Sequence, residues 1–328
     1  MKAVYIKAFG GTENLEIREV PDPPKPTGSQ VLIRIKAAGL NRADLLQRRG
    51  VYPPPAGYSP NIPGLEFAGE VAGVGSDVTN WSVGKRVFGI TAGEAQAEFL
   101  LTDETLLARI PDNLSFTEAA AVPEAFITAH DAIFTLGKLK KGETLLIHAV
   151  GSGVGLAALQ LAKAAGVRVF GTSRTSEKLL ECKEFGLDEA ILSGDRVDFA
   201  EVVMEKTGGL GVNMILDLVG ASYFQRNLGS LAMKGRLILV GLTSGAVAEF
   251  DLRAALQKRL SIIGTVLRAR PTDEKAVATR LFARDVLPLL ERGEIRPNLD
   301  KVFAAEEVRL AHEYLESNVS FGKVVLEF

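Results

Sequence analysis

The chain has 328 residues, and its 38 Lys and Arg residues against 40 Asp and Glu residues give a formal net charge of −2. At about 100–200 residues per domain, this length predicts two domains. The near-neutral balance argues against a nucleic-acid or membrane-surface protein, because phosphate-tracking surfaces need a basic excess. With one cysteine, Cys182, the chain cannot form an internal disulfide or a zinc site of paired cysteines, so we expect a cytoplasmic protein. No apolar run approaches the roughly 20 residues that span a bilayer, and we expect no membrane partner.

The first third of the chain has the pattern of short β-strands separated by turns. Apolar and charged residues alternate in Val31–Lys36, which places the apolar side chains on one face of a strand. Prolines before and after this segment interrupt the pattern, because proline lacks the N–H that a sheet requires. Further strands are predicted at Glu66–Val74, Arg86–Ile90 and Ala95–Leu101. Short strands with frequent Gly and Pro turns indicate a barrel or sandwich.

The middle third alternates between strands and helices. A compact apolar run at Thr144–Val150 predicts a strand that is covered on both faces. A glycine-rich turn, the helix Leu156–Ala165 ending at Gly166, and the strand Val167–Thr172 follow, and Thr175 is positioned to cap a helix that runs to Phe185. Four more strands are predicted at Ala190–Leu192, Asn213–Val219, Arg236–Val240 and Ser261–Leu267. This alternation predicts a parallel, doubly wound α/β sheet.

The end of the chain returns to an amphipathic helix, Glu306–Glu316, and a terminal strand, Lys323–Phe328. We expect this segment to pack back on the first domain.

A phosphate-binding loop is predicted between the first strand and the first helix of the middle third. Small residues in His148–Gly155 would let the backbone approach a diphosphate, and the start of the helix favours negative charge. Leu156 stands where the strict fingerprint has its third glycine, but the required strand-turn-helix context is present. The residues predicted to contact the dinucleotide here are Ala149, Gly151, Ser152, Gly153 and Val154.

The end of the second strand indicates which dinucleotide is bound. An NAD site usually has Asp or Glu at this point, about 20 residues after the loop. This chain has Ser173 and Arg174 there, with Lys178 one turn further on. Because no carboxylate would repel a 2′-phosphate and two cations could bind one, we predict NADPH as the cofactor.

Several motifs, in order, resemble the medium-chain dehydrogenase/reductase superfamily and, within it, the zinc-independent, zeta-crystallin-like quinone oxidoreductases. The motifs are Ala38–Asp44, Arg49–Pro53, Pro63–Gly69, Ile147–Gly155 and the pair Gly322 and Lys323. The resemblance covers essentially the whole chain. It implies a GroES-like catalytic β-barrel domain at residues 1–122, a Rossmann NADP-binding domain at 123–265, and a return to the catalytic domain at 266–328. It also implies a homodimer formed through the edge of the Rossmann sheet.

The resemblance also implies that no metal takes part in the reaction. Zinc-dependent relatives have Cys in the first motif and Gly-His-Glu in the third, whereas Asn41 stands near the first position here and Leu65 replaces the histidine. Without a zinc ion to stabilise an alkoxide, alcohol dehydrogenation is disfavoured. A quinone suits such a site, because hydride transfer to it gives a delocalised oxyanion of low basicity.

We predict that Asn41 and Tyr52 lie near the nicotinamide and the acceptor oxygen, and that Asp44 orients Asn41 or a nearby arginine. Leu65 and Arg268 are the predicted substrate-side residues, and a solvated loop is the alternative for Arg268. Three further residues resemble nicotinamide-side contacts of the family, and Lys323 is expected to close the site from the C-terminal segment. These three are Thr128, Gly241 and Leu242. His148 and Cys182 are interpreted as structural residues.

Three functions remain open at this point. The first is NADPH-dependent reduction of quinones by hydride or one-electron transfer. The second is NADPH-dependent reduction of enones or enoyl thioesters, whose enolate product would depend more on a proton donor such as Tyr52. The third, from another class, is a non-catalytic NADPH-binding or structural protein. For the first two the partner is a small quinone or another activated carbonyl compound.

Overall fold

The computed structural model describes residues 1–194 and 198–328. Its first part is mostly β-structure, in which the apolar side chains of alternating strand positions are buried. The elements here are β1 (Lys2–Ile6), β2 (Leu15–Glu19), β3 (Gln30–Leu40), α1 (Arg42–Arg48), β4 (Glu66–Val74), β5 (Arg86–Ile90), β6 (Phe99–Asp103), β7 (Leu107–Arg109), α2 (Phe116–Ala120) and α3 (Pro123–His130). A π-helical turn, Asp131–Leu136, continues α3.

The middle part alternates between strands and helices, as predicted. Its elements are β8 (Thr144–Ile147), α4 (Gly153–Ala164), β9 (Arg168–Ser173), α5 (Ser176–Glu184), β10 (Glu189–Leu192), α6 (Phe199–Lys206), β11 (Val212–Asp217), α7 (Phe224–Ser230), β12 (Leu231–Leu239), α8 (Leu252–Lys258) and β13 (Ser261–Gly264). Gly166 ends α4 with φ of +72°, the left-handed conformation expected of a helix-terminating glycine.

The last part contains two helices, a strand pair and the helix between those strands. These elements are α9 (Thr272–Asp285), α10 (Leu287–Glu291), β14 (Leu299–Ala304), α11 (Val308–Glu316) and β15 (Lys323–Glu327). β15 pairs antiparallel with β3, with Val324 opposite Leu40. The terminal strand therefore joins the first β-domain, as the sequence predicted.

Two compact units result from this arrangement. The first comprises Met1–Ile127 and Leu267–Phe328, and the second comprises Thr128–Val266. In the first unit, β1 and β2 form a two-stranded antiparallel sheet, and the other described strands form a larger sheet in the order β14-β15-β3-β4-β5-β7, with β6 also paired to β3. Its core is built from apolar side chains such as Val31, Ile33 and Phe67, which alternate toward one face of their strands.

In the second unit, the described strands form a parallel sheet in the order β10-β9-β8-β11-β12-β13. Numbered within the unit, this order is 3-2-1-4-5-6, the Rossmann arrangement. Leu146, Phe170 and Ile215 from three of its strands lie in one buried cluster with Phe199 and Val203 of α6. The carboxyl ends of β8 and β11 are adjacent at the point where the strand order reverses, which is where doubly wound sheets bind ligands.

Several predicted boundaries were wrong by a few residues. The strand predicted at Ala95–Leu101 lies at Phe99–Asp103, because residues 95–98 instead connect strands through bonds such as that from the Gln96 N–H to the Pro63 carbonyl. The first helix of the Rossmann unit begins at Gly153 rather than Leu156, because its first turn includes the glycine-rich loop. Thr175 occupies the N-cap of α5, but its side chain makes no capping hydrogen bond.

Candidate functional site

The loop after β8 places unused backbone donors at the start of α4. Ser152 caps this helix by accepting a hydrogen bond from the Gly155 N–H at 3.2 Å. The N–H groups of Gly153 and Val154 make no hydrogen bond within the part of the chain that the structure describes. Two free donors at the positive end of a 12-residue helix can bind a diphosphate.

The close approach of this loop to the helix depends on one glycine. A Cβ atom at Gly155 would lie 2.6 Å from the carbonyl oxygens of both Ala149 and Val150. Ala149 itself has φ of +49°, a conformation that residues with a Cβ adopt at a cost. The turn therefore brings the Gly151–Val154 backbone to the end of β8, where the sequence predicted a phosphate-binding loop.

The end of β9 carries the residues predicted to recognise a 2′-phosphate. Ser173 is buried, and its side chain accepts a hydrogen bond from the Thr175 N–H at 3.3 Å. Arg174 is exposed and makes no hydrogen bond or ion pair within the described residues, so its guanidinium group is available to an anion. Lys178 lies one turn into α5.

Three other predicted cofactor contacts lie in the Rossmann unit. The Thr128 hydroxyl oxygen is buried and has no hydrogen-bond partner among the described residues, so a bound molecule could supply one. Gly241 follows β12, and a Cβ there would lie 2.6 Å from the Leu218 carbonyl oxygen. Leu242 is 55% exposed. Their contacts with a nicotinamide stay predictions.

A buried polar chain connects the ends of β8, β9 and β11 below the loop. Asp217 accepts from the Asn227 amide at 2.9 Å, and Asn227 Oδ1 lies 2.6 Å from His148 Nε2. His148 Nε2 therefore donates, and Nδ1 accepts from the Thr172 hydroxyl at 2.9 Å. Burial lowers the pKa of His148 to about 4. The predicted structural role of His148 is confirmed.

In the first unit, Lys323 forms the centre of a buried charged cluster. Its ammonium nitrogen lies 2.5 Å from Glu66 Oε1, 2.7 Å from Asn41 Oδ1 and 3.0 Å from the Leu40 carbonyl oxygen. These three acceptors use all the donors of an ammonium group. The side chain is only 6% exposed, and contact between Lys323 and the cofactor stays a prediction.

Asn41 is held by the same cluster. Its amide nitrogen donates to Glu66 Oε1 at 2.9 Å, while its oxygen accepts from Lys323. Gly39 makes room for this arrangement, because a Cβ there would lie 2.3 Å from Glu66 Oε1. Contact between Asn41 and a bound molecule stays a prediction, and the Asn41 oxygen keeps one unused lone pair for it.

Asp44 anchors the backbone on either side of this cluster. One of its carboxylate oxygens accepts from the Asn41 N–H at 2.7 Å and the other from the Gly64 N–H at 3.0 Å. Asp44 thus fixes Asn41 through its main chain, within the electrostatic range of Arg268 and Lys323. Burial raises the pKa of Asp44 to about 6, although these donors and cations act in the opposite direction.

Arg268 supports the loop that carries Tyr52. It donates to the Ala92 carbonyl oxygen at 2.8 Å and the Tyr52 carbonyl oxygen at 3.0 Å, and it also bonds Gln47 Oε1. Its guanidinium carbon lies 5.0 Å from the centre of the Tyr52 ring. Arg268 is 4% exposed, so the solvated-loop alternative is wrong. A substrate contact by Arg268 stays a prediction.

Leu65 and Cys182 are both buried. Leu65 is 2% exposed, so the structure presents little of it to a bound molecule, and its substrate role stays a prediction. Cys182 is fully buried in α5, and burial raises the pKa of its thiol to about 12. The structural interpretation of Cys182 is confirmed.

Sequence reasoning missed Glu66, Glu124 and Lys275. Glu124 is half-buried at the start of α3, and its N–H donates to Glu66 Oε2 at 2.8 Å. Burial, followed by the nearby Glu66 charge, raises the pKa of Glu124 to about 8. Lys275 of α9 is 4% exposed and lies within the electrostatic range of Glu124. An available signal was the single charged residue within the apolar run Ala119–Ile127.

The residues of the Rossmann unit fit a dinucleotide. The unused N–H groups of Gly153 and Val154, the available cation of Arg174 and the unpartnered Thr128 hydroxyl each lack a protein partner among the described residues. Across residues 1–194 and 198–328, no group of three or more His, Cys, Asp and Glu side chains is placed to hold a metal ion. No described helix is long and apolar enough to span a bilayer.

Comparisons with known proteins agree with this geometry. Residues 27–132 match the alcohol dehydrogenase GroES-like domain, and residues 153–284 match the zinc-binding dehydrogenase family. The chain is 35% identical to a quinone oxidoreductase of Pseudomonas aeruginosa over 330 residues, which cover 99% of each chain. It resembles the crystal structure of Escherichia coli quinone oxidoreductase complexed with NADPH, with a TM-score of 0.89, 30% identity and 100% coverage of both chains. A crystal structure of CurK enoyl reductase has a TM-score of 0.86 and 26% identity, covering 99% of this chain and 98% of that one.

A GroES-like β unit in the same chain as a Rossmann unit defines a two-domain dehydrogenase or reductase. The chain belongs to the medium-chain dehydrogenase/reductase family, in its quinone oxidoreductase branch. The fold class and the family resemblance predicted from the sequence are confirmed.

Proposed function

We propose that this chain catalyses the NADPH-dependent reduction of quinones and related activated carbonyl compounds, without a metal ion. The observation that carries the proposal is full-length similarity to quinone oxidoreductases. The free donors at the start of α4 and the available Arg174 support it from the structure.

NADPH, when bound, supplies the hydride. The residues of the Rossmann unit then bind and orient it. We assign the diphosphate to the N–H groups of Gly153 and Val154, and the 2′-phosphate to Arg174 with Ser173 and Lys178 nearby in sequence. The His148 chain to Asp217 keeps the strand ends that carry this loop in register.

Tyr52 is the residue we place at the acceptor oxygen. It is half-buried, and its hydroxyl makes no hydrogen bond within the described residues. Arg268 holds the Tyr52 backbone and lies near its ring, so the hydroxyl is presented in a restricted orientation. A quinone needs little more than this hydrogen bond, because the oxyanion formed on reduction is delocalised.

Reduction of enones or enoyl thioesters is the second candidate, and similarity to an enoyl reductase favours it. The enolate formed from these substrates is more basic, so the reaction would require an effective proton donor. Faster turnover with enones than with any quinone would favour this candidate.

Arg174 provides the test of cofactor choice. Replacement of Arg174 by Ala should weaken NADPH binding by about 10-fold or more, because a hydrogen bond to a charged group contributes about 1.5–3 kcal/mol. NADH binding should stay unchanged, since NADH has no 2′-phosphate. Fluorescence titration with both nucleotides measures this difference. Lys183→Ala, which removes an exposed cation at the other end of α5, is the matched control. Equal losses for NADPH and NADH in the Arg174 variant would contradict the assignment.

We further infer that the protein forms a homodimer through the edge of the Rossmann sheet. β13 is the last strand on one side of that sheet as described, so its outer N–H and C=O groups can pair with another strand. Large exposed apolar residues precede it: Leu242, Val247, Phe250, Leu252 and Leu256. Exposed apolar surface of this kind indicates an association surface.

A cytoplasmic location remains our expectation, supported by the single buried cysteine.

A further inference from the structure

Three carboxyl groups lie together in the first unit, and their hydrogen bonds differ. Glu66 accepts from Lys323, Asn41 and the Glu124 N–H, so both its oxygens are occupied. Asp44 accepts a backbone N–H on each oxygen. The Glu124 carboxyl group accepts no hydrogen bond and forms no ion pair among the described residues. The carboxylate oxygens of Glu66 and Asp44 therefore all have hydrogen-bond donors, whereas those of Glu124 have none among the described residues.

The environment of Glu124 also favours the protonated form of its carboxyl group. Glu66 and Asp44 lie within its electrostatic range and repel a second negative charge, while Lys323 and Lys275 oppose that repulsion. Tyr52 and Arg268 also lie within its electrostatic range. Desolvation is the largest effect, and it raises the pKa of Glu124 to about 8. At neutral pH the Glu124 carboxyl group is therefore protonated in most molecules.

Glu124 is also accessible in a way that its neighbours are not. Glu66 and Asp44 are fully buried, but Glu124 keeps partial exposure and lies within the electrostatic range of Tyr52. A protonated carboxylic acid with partial exposure to solvent can release a proton to a bound molecule and recover it from water.

We propose that Glu124 is the proton donor of the reaction and delivers its carboxyl proton to the acceptor oxygen after hydride transfer. This inference rests on the proposed function. The hydride brings two electrons from NADPH to the acceptor, leaving an oxyanion. The O–H bond of Glu124 breaks, a new O–H bond forms on the product, and Glu124 is left as a carboxylate. Water then returns the proton, so one proton is taken up for each acceptor reduced.

The first test measures the titration of the Glu124 carboxyl group and does not depend on catalytic turnover. Carbon-13 NMR of the protein labelled at glutamate side-chain carboxyls should show one resonance that titrates near pH 8 and is missing in Glu124→Gln. In Lys275→Met the same resonance should titrate at higher pH, because Lys275 lowers the pKa of Glu124. If every glutamate carboxyl titrates below about pH 6, the proposal is overturned whether or not the protein reduces quinones.

The second test compares acceptors whose reduced forms differ in basicity. Glu124→Gln keeps the shape of the side chain but cannot release a proton. For acceptors with strongly basic products, kcat should fall by about 100-fold or more, the usual contribution of a general acid. For strongly electron-poor quinones, it should change by less than about threefold. An equal effect on all acceptors would overturn the proposal. If the unmodified enzyme reduces no quinone or enone, the proposed function fails, and the NMR titration still decides the state of Glu124.

Discussion

At the scale of single residues, the position of Lys323 distinguishes this site from one that needs a metal. Zinc-dependent relatives have metal ligands in the motifs around Asn41 and Glu66, and here the Lys323 ammonium group bonds both side chains. The positive charge is supplied by the protein and is fixed by three acceptors. Because three acceptors use all the donors of this ammonium group, it fixes the positions of Asn41 and Glu66.

Replacement of Lys323 by Met should lower the free energy of unfolding by about 3–5 kcal/mol, since Glu66 would be left as an unpaired buried charge. Urea denaturation measures this loss. The double variant Lys323→Met/Glu66→Gln is the control and should recover part of it, because the remaining amide is neutral. A loss below about 1 kcal/mol in the single variant would show that the pair is not buried as described.

Residue patterns predicted the phosphate loop much better than the Lys323 cluster. The loop at Gly151–Gly155 was found because phosphate binding depends on a local sequence of small residues between a strand and a helix. The Lys323 cluster was not found, because Lys323 and Asn41 are 282 residues apart in sequence. They meet only because β15 pairs with β3. Asn41 and Lys323 were each named as site residues, but their partner Glu66 was not.

At the scale of secondary-structure elements, the buried hydrogen bonds of His148 join three neighbouring strands of the Rossmann sheet. His148 follows β8, Thr172 lies in β9 and Asp217 ends β11. The sequence predicted these strands from apolar runs, whereas the side-chain pairing required the sheet order. The phosphate loop and Arg174 both follow strands whose ends are connected by these hydrogen bonds.

The buried His148 side chain should make the free energy of unfolding depend on pH. The pKa of His148 is lowered from 6.5 to about 4 by burial, so between these values only the unfolded chain binds the proton. The contribution of His148 to the free energy of unfolding is therefore fully present above pH 6.5 and is lost as the pH falls to about 4. At about 1.4 kcal/mol per pH unit, the loss approaches about 3 kcal/mol.

Urea unfolding of the wild type and His148→Gln at several pH values measures this contribution. Since glutamine does not titrate, the variant should lose less stability than the wild type between pH 6.5 and 4. The other titrating groups, including His312 with its pKa of about 3, are common to both proteins and cancel in the comparison. Identical pH dependence in the two proteins would contradict the buried, neutral assignment of His148.

At the scale of the whole molecule, the sequence predicted both fold types and the return of the terminal strand. Strand–helix alternation specifies a doubly wound sheet well, because each crossover follows the same handedness. The first unit was predicted less sharply, since pairing among short strands depends on contacts distant in sequence. α9, α10 and β14 were not among the predicted elements, and α9 carries Lys275, which lies within the electrostatic range of Glu124.

The inferred dimer predicts a measurable change in mass. Leu256 is 77% exposed on α8, close in sequence to β13. Leu256→Glu should convert the dimer to a monomer, because burial of an unpaired charge in an apolar interface is unfavourable. Light scattering coupled to size-exclusion chromatography measures the mass, and Leu210→Glu, at a residue that is 76% exposed before β11, is the control. A monomeric wild-type protein would contradict the inference.

The central claim is that NADPH bound by this chain is used to reduce quinones. Its most direct test is anaerobic oxidation of NADPH by the purified protein with simple ortho- and para-quinones, following both nucleotide and quinone. The account predicts that one NADPH is consumed for each quinone reduced by two electrons, at lower nucleotide concentrations than with NADH. Tight NADPH binding with no turnover of any quinone would contradict the account and would indicate a non-catalytic NADPH-binding protein.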